Sequence, residues 1–229
     1  GATEEATLRG GTEYLQIQAR FLSNFNERQL KARQEALAGG EHHWLDEKLQ
    51  VAEFICAEEG GLAGKSLQEL GWGRSFQANV IKILRGKKHI NIPEGTERVQ
   101  AGDHLFVLGT AQSLASIRLL AERRQGLAEA DRAESTLRQF ILHQEQFPEE
   151  QQLLCYALQV EKDWPFVGAS IKDSSIKQEW SCLLIGLERE LLPIIHPDPN
   201  LRLNAGDLLW VLGEQRMGEK LLKEELIHN

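Results

Sequence analysis

The stretch Gly60-Gly61-Leu62-Ala63-Gly64-Lys65-Ser66 is the nearest this chain comes to a phosphate-binding loop. Such a loop needs four residues between its first glycine and the Gly-Lys-Ser that follows, so that backbone amides curl around phosphate oxygens. The required first position is Glu59, whose carboxylate would repel an anion. Gly71-Trp72-Gly73-Arg74-Ser75-Phe76 opens like a dinucleotide fingerprint, but it lacks the last glycine and follows a helix, where the motif needs a strand. His42-His43-Trp44 resembles a metal tract; adjacent histidines point different ways, and no Cys or acidic residue stands at a matching spacing. No Ser-His-Asp order, Cys-His arrangement or carboxylate pair stands out. The expectation is a protein with no catalytic residues, no metal and no enzymatic activity.

Three further groups carry polar chemistry. Asp103 and Asp207 each sit in an Ala-Gly-Asp turn before an apolar run, where a carboxylate can accept hydrogen bonds from nearby amides and fix the turn. Cys56, Cys155 and Cys182 lie in or beside apolar runs and read as small buried hydrophobes of a reducing compartment. His196, on the arm Leu192-Pro193-Ile194-Ile195-His196-Pro197, with Arg189 in the adjoining turn, has the chemistry to hold a small anionic ligand with a flat ring. The net charge of -8 gives no overall basic field, so nucleic acid is not expected as a partner. The tryptophans do not alternate with basic residues as a single-strand groove requires. No run approaches the ~18 apolar residues of a membrane span, and no signal peptide is read at the start.

The elements that position these residues occur twice. Ala101-Gly102-Asp103-His104-Leu105-Phe106-Val107-Leu108-Gly109 returns 104 residues later as Ala205-Gly206-Asp207-Leu208-Leu209-Trp210-Val211-Leu212-Gly213. The same offset relates Gly64 to Gly168, Ser66 to Ser170, Arg85 to Arg189, Pro93 to Pro197 and Arg98 to Arg202. A repeat fixes architecture before any motif does. It also disposes of the phosphate loop, because the second copy reads Trp164-Pro165-Phe166-Val167-Gly168-Ala169-Ser170, without the lysine. What the copies share is Gly-x-Ser, a turn and a helix cap.

Within the first copy, Val51 to Ala57 reads as a strand, Ser66 caps a short helix to Leu70, and Ala78 to Leu84 and Lys88 to Ile92 form a hairpin about Arg85-Gly86-Lys87. Leu105 to Leu108 is a buried strand, and Leu114, Ile117, Leu120 and Ala121 form a helix stripe. The second copy repeats this order with strands over Leu154 to Val160, Cys182 to Leu187, Leu191 to His196 and Leu208 to Leu212, then a helix over Met217 to Ile227. Ahead of the repeats, Tyr14, Ile17, Phe21 and Phe25 fall on one helical face, and Asn26 to Gln29 has capping-box form for a second helix to Ala38. The expected division is a helical lead-in over 1–48, a first unit over 49–124, a helical connector over 125–148 and a second unit over 149–229. A unit of ~70 residues is marginal alone, so the two are expected to pair about a pseudo-two-fold axis, or as two such pairs in a homodimer.

Gly64-x-Ser66-Leu67 after a strand, the Arg85-Gly86 hairpin and Ala101-Gly102-Asp103-x-Leu105-x-Val107-x-Gly109 together resemble the TrkA C-terminal domain, RCK_C. The second copy is similar through Gly168-x-Ser170-Ile171, Ala205-Gly206-Asp207 and Val211-Leu212-Gly213, with Glu188-Arg189-Glu190 in place of the family's Arg-Gly turn. The resemblance implies an α+β fold of two tandem units, each a small mixed sheet with packed helices, behind an amphipathic helical segment. It implies a regulatory domain at the inner face of the cell membrane, attached to a membrane transport domain, expected in the same polypeptide, of a sodium- or potassium-proton antiporter, and a homodimer. The alternative is a structural dimerisation module of an anion symporter or potassium uptake system, with no ligand. No cofactor is implied beyond a small regulatory ligand such as cyclic di-AMP, with Arg85, Asn91, Ile92, Arg189, Ile195 and His196 as its expected contacts. Gly64, Ser66, Gly102, Asp103, Gly168, Ser170, Gly206 and Asp207 are expected as structural turn residues.

Overall fold

The computed structural model describes residues 21–23, 44–130 and 134–217. It divides into two compact units, one of Trp44–Gln144 and one that joins Glu145–Asn229 to Gly1–His43. The chain enters the description at β1 (Phe21–Ser23). Phe21 was expected on a helix; here it begins a strand. The helical spacing of its apolar neighbours is local, whereas the partner that makes it a strand lies far along the chain, and tertiary pairing overrides propensity. The rest of both lead-in helices, His42, His43 and the terminal helix beyond Met217 lie outside the described residues.

The unit of Trp44–Gln144 runs α1 (Trp44–Glu47), β2 (Gln50–Cys56), α2 (Leu67–Leu70), α3 (Trp72–Phe76), β3 (Asn79–Arg85), β4 (Lys88–Asn91), β5 (His104–Gly109), α4 (Ala111–Glu122), β6 (Leu127–Glu129), β7 (Ser135–Thr136) and α5 (Leu137–Leu142). Its antiparallel sheet has the order β4-β3-β5-β2-β6, with β7 also on β2. Phe54, Cys56, Ile83, Leu105 and Val107 form one core with Trp72 and with Leu114 and Ile117 of α4. On the other face Phe106 meets Phe140 of α5 at 5.7 Å between ring centroids. Ser66 and Glu69 close a capping box at α2: the hydroxyl accepts from Glu69 N at 3.1 Å, and the carboxylate accepts from Ser66 N at 3.0 Å. Such a cap contributes about 1 kcal/mol.

One feature departs from expectation, and another fills a stretch for which no element was expected. The segment expected as a helical connector carries β6 and β7 before its helix, α5, begins. These short edge strands are largely polar, so hydrophobic periodicity does not reveal them. The segment after Leu70 turns straight into α3, because Gly71 takes φ +64 and serves both as the end of α2 and as the cap of α3.

The other unit contains β8 (Leu153–Gln159), α6 (Ile176–Trp180), β9 (Leu183–Arg189), β10 (Leu192–Ile195) and β11 (Leu208–Glu214). Its sheet has the order β1-β8-β11-β9-β10. All its pairings are antiparallel except β1 with β8, which is parallel, with Phe21 opposite Cys155 and Ser23 opposite Ala157. Tyr156, Leu158, Leu187, Leu209 and Val211 bury one face with Trp164, Phe166 and Trp180, whose rings pack edge to face at 5.1 to 6.5 Å. Ser170 accepts from Asp173 N at 3.2 Å, but the chain makes a turn there, and α6 starts later.

The hairpin lacking the Arg-Gly pair keeps a two-residue turn. In the first copy Gly86 alone takes positive φ, at +60; in the second both Glu190 (+53) and Leu191 (+69) do. That is the geometry of a type I′ turn, which favours Asn-Gly. A side chain in the left-handed region costs about 1–2 kcal/mol. Leu191 is half exposed, so its removal empties no core. The double variant Glu190→Asn, Leu191→Gly is therefore expected to gain about 1–2 kcal/mol in urea unfolding, and no gain would contradict the turn geometry.

All three cysteines are buried. Burial, with Asp103 nearby, pushes the Cys56 thiol up, and burial alone pushes Cys182 up to about 12. Burial disfavours the thiolate at each of them, in keeping with the apolar runs.

Candidate functional site

The Ala-Gly-Asp turns are the anchor of each unit. Gly102 and Gly206 take φ +86 and +92, which a side chain resists, and so aim the next residue inward. Asp103 and Asp207 are almost fully buried. A buried carboxylate needs charge and hydrogen bonds to compensate lost hydration. Arg85 supplies both: Nε donates to Oδ1 and Nη2 to Oδ2 of Asp103, each at 2.9 Å, while Gln100 N donates to Oδ2 at 2.8 Å. Nη2 also donates to the Arg98 carbonyl at 2.9 Å, and Nη1 to Glu97 at 3.3 Å. The second copy repeats the clasp with Arg189, Asp207, Asn204 and the Arg202 carbonyl at the same distances. The bonds to aspartate are the chief reason both guanidinium pKa values rise. The position of Glu97 is Leu201 in the second copy, so Nη1 of Arg189 has no carboxylate there.

The other end of each hairpin is strained in the same way. Val80 and Lys82 pair with Val107 and Phe106, which leaves Ile81 as a bulge in β3. Its carbonyl accepts from Ile92 N at 2.9 Å, and Ile92 takes φ +46. In the second copy Ile185 is the bulge, its carbonyl accepts from His196 N at 3.4 Å, and His196 takes φ +49. A β-branched residue in the left-handed region is an outlier that the surroundings must enforce. Lys82 is fully buried opposite Asn91, and its Nζ donates to Nδ1 of His89 at 3.1 Å. Burial first, then the charge of Lys82, holds the His89 imidazole below its ordinary pKa. The second copy replaces Lys82, His89 and Asn91 with Gly186, Pro193 and Ile195, so the same backbone carries an apolar surface.

The six expected ligand contacts therefore form three equivalent pairs. The structure brings Asn91 beside Ile92, and Ile195 beside His196, at the strand ends. Arg85 and Arg189 lie at the opposite end of each hairpin, three residues or about 10 Å away, with their donors turned to the aspartates. Sequence reasoning singled out Arg85 and Asp103 for separate roles and missed the clasp. A signal was present, since arginine and aspartate stand 18 apart in both copies. Among the described residues no group of His, Cys, Asp and Glu is placed to hold a metal, and no helix is long and apolar enough to cross a membrane. A groove of about 530 Å3 between α4 and β6, lined by Ala57, Arg118, Ala121, Arg124, Leu127 and Glu129, holds none of the expected contacts.

The model of the TrkA-C domain family matches residues 51–121 and again residues 155–224. No curated protein matches the chain. Among solved structures, the RCK_C domain dimer of S. agalactiae BusR in complex with c-di-AMP is 27% identical over 31% of this chain and 92% of its own, at a TM-score of 0.29. The GsuK channel bound to NAD is 13% identical over 80% of this chain and 53% of its own, at 0.33. S. agalactiae BusR in complex with its busAB-promotor DNA is 22% identical over 40% of this chain and 45% of its own, at 0.29. That complex corrects the expectation that nucleic acid is excluded from the partners. A net charge reports the mean field of one chain, and does not bound what a protein similar to part of it contacts. Two tandem matches that together span more than half of the sequence decide the assignment: the chain belongs to the TrkA-C domain family.

Proposed function

We propose that this chain is a ligand-sensing regulatory domain, without catalysis of its own, on the cytoplasmic side of an ion transport system, in the first instance a sodium- or potassium-proton antiporter. Family membership supports the regulatory role. The observation that carries ligand sensing is the pair of strained strand ends, Ile92 and His196, held at positive φ by bulges at the same place in both copies. Strain kept at equivalent positions marks a surface shaped for something other than stability. Asn91 and Ile92 offer an amide and an apolar wall; Ile195 and His196 offer an apolar wall and an imidazole. Each strand end, taken within its own unit, offers groups that suit a flat-ringed anion, with cyclic di-AMP the first ligand to assay. Arg85 and Arg189 each keep the hairpin of their own unit in place, at the end away from the strained residue. Regulation then requires that the ligand bind one conformation better than another.

Thermal unfolding of the full chain with cyclic di-AMP tests this reading. Ligand at a hundredfold over Kd adds about 2.7 kcal/mol to stability by mass action. The gain is expected to shrink in Asn91→Ala and His196→Ala, both of which leave the clasps intact. A chain that no cyclic dinucleotide or adenine nucleotide stabilises would be a structural module.

A further inference from the structure

The edge of β8 is closed from outside its own repeat. In the Trp44–Gln144 unit the corresponding edge, that of β2, is covered by β6 and β7, and β6 follows α4 after only the turn 123–126. The edge of β8 is covered by β1, more than 100 residues earlier in the chain, through three parallel residue pairs. Parallel pairing is slightly weaker per residue than antiparallel, and so short a ladder opens at little cost. What it covers is costly to expose. Leu153, Cys155, Tyr156, Ala157 and Leu158 are all buried in a seven-residue strand, and a bare apolar edge is a template for another strand. We propose that the β8 edge is a strand-accepting surface that takes the Phe21–Ser23 segment of a second copy as readily as its own, giving a strand-exchanged pair.

Chain length permits the exchange. Residues 24–43 separate β1 from Trp44, and 20 residues reach at most ~70 Å. Exchanging an identical element needs no new interface chemistry, because the same three pairs form in either arrangement.

The register places Phe21 opposite the native Cys155, which supplies the probe. Two differently tagged chains are made, both carrying Cys56→Ala and Cys182→Ala. One adds Phe21→Cys with Cys155→Ala; the other keeps Phe21 and Cys155. Neither can form the bond within itself, so a mixed disulfide requires β1 of one chain to lie on β8 of the other. A single chain with Phe21→Cys and native Cys155 is the control for pairing, and Ser23→Cys with Ala157→Cys, in a background without Cys155, repeats it should the first pair disturb folding. Mixed product is expected on non-reducing gels after mild oxidation. Its share rises roughly tenfold for a tenfold rise in protein while it is the minor species. Closure in the single-chain control with no mixed product at any concentration overturns the proposal, as does failure of both single-chain pairs to close.

Discussion

Replacing Gly60 with alanine is expected to destabilise the Trp44–Gln144 unit by about 2–5 kcal/mol, from a left-handed backbone penalty of about 1–2 kcal/mol and a further 1–3 kcal/mol of overpacking. Gly60 takes φ +102, and a Cβ there would stand 2.1 Å from the backbone N of Gly126 and 2.5 Å from its Cα. Neither atom is the end of a flexible side chain, so the two segments must part. Gly126 is itself fixed, because its carbonyl accepts from Ala57 N at 2.9 Å just where β6 runs onto β2. The next residue is an internal control. Gly61 takes φ +80 with nothing within 4 Å of its would-be Cβ, so Gly61→Ala should cost only the backbone part. Urea unfolding of both variants, with hydrogen exchange on the β2 and β6 amides to place the loss, measures the difference. Equal costs would refute the close approach of Gly60 and Gly126. The same contact explains a mismatch between the repeats. Where the first copy has Gly60 beneath β6, the second has Trp164, which packs on Phe166 and Trp180.

This glycine shows how far the sequence could be read. Gly60-Gly61 drew attention as half of a phosphate loop, while its real reason was a strand arriving from 66 residues away. Features whose cause lies within a few residues were legible: the Ser66 cap, both hairpins, the Ala-Gly-Asp turns and the stripe of α4. The order of elements was legible because it is written twice. What escaped depends on distant partners or on backbone alone. β1 follows helical spacing and becomes a strand only because β8 offers an edge; β6 and β7 are too short and polar to show a period. The bulges at Ile81 and Ile185 leave no mark in composition, and their carbonyls accept from Ile92 N and His196 N, the residues at positive φ. At the candidate site the clasp of each arginine on its aspartate was not legible, because it joins residues 18 apart through their side chains. A partly exposed arginine near a loop invites a ligand reading until its donors are followed to a buried aspartate.

Following those donors gives the second large effect. Asp103→Ala and Asp207→Ala should each cost about 2–4 kcal/mol, since each removes two charge-assisted hydrogen bonds to a partly exposed guanidinium and leaves an amide without its acceptor. The two should differ in size. After Asp103→Ala, Arg85 keeps the hydrogen-bonded carboxylate of Glu97, at 3.3 Å from Nη1; after Asp207→Ala, Arg189 keeps the Arg202 carbonyl and the charge of Glu190 but has leucine where the first copy has Glu97. The second variant is therefore expected to be the more damaging. Arg85→Lys should recover little, because an ammonium cannot reproduce two parallel bonds to one carboxylate. In the double variant Arg85→Ala, Asp103→Ala the losses should fall well short of the sum, as they do for residues that share one interaction. Urea unfolding followed by tryptophan fluorescence suits Asp207, whose unit holds Trp164, Trp180 and Trp210. Additive losses, or a milder effect at Asp207 than at Asp103, would mean that the clasp does not anchor the hairpins, and the strand ends would then need another support for their strained geometry.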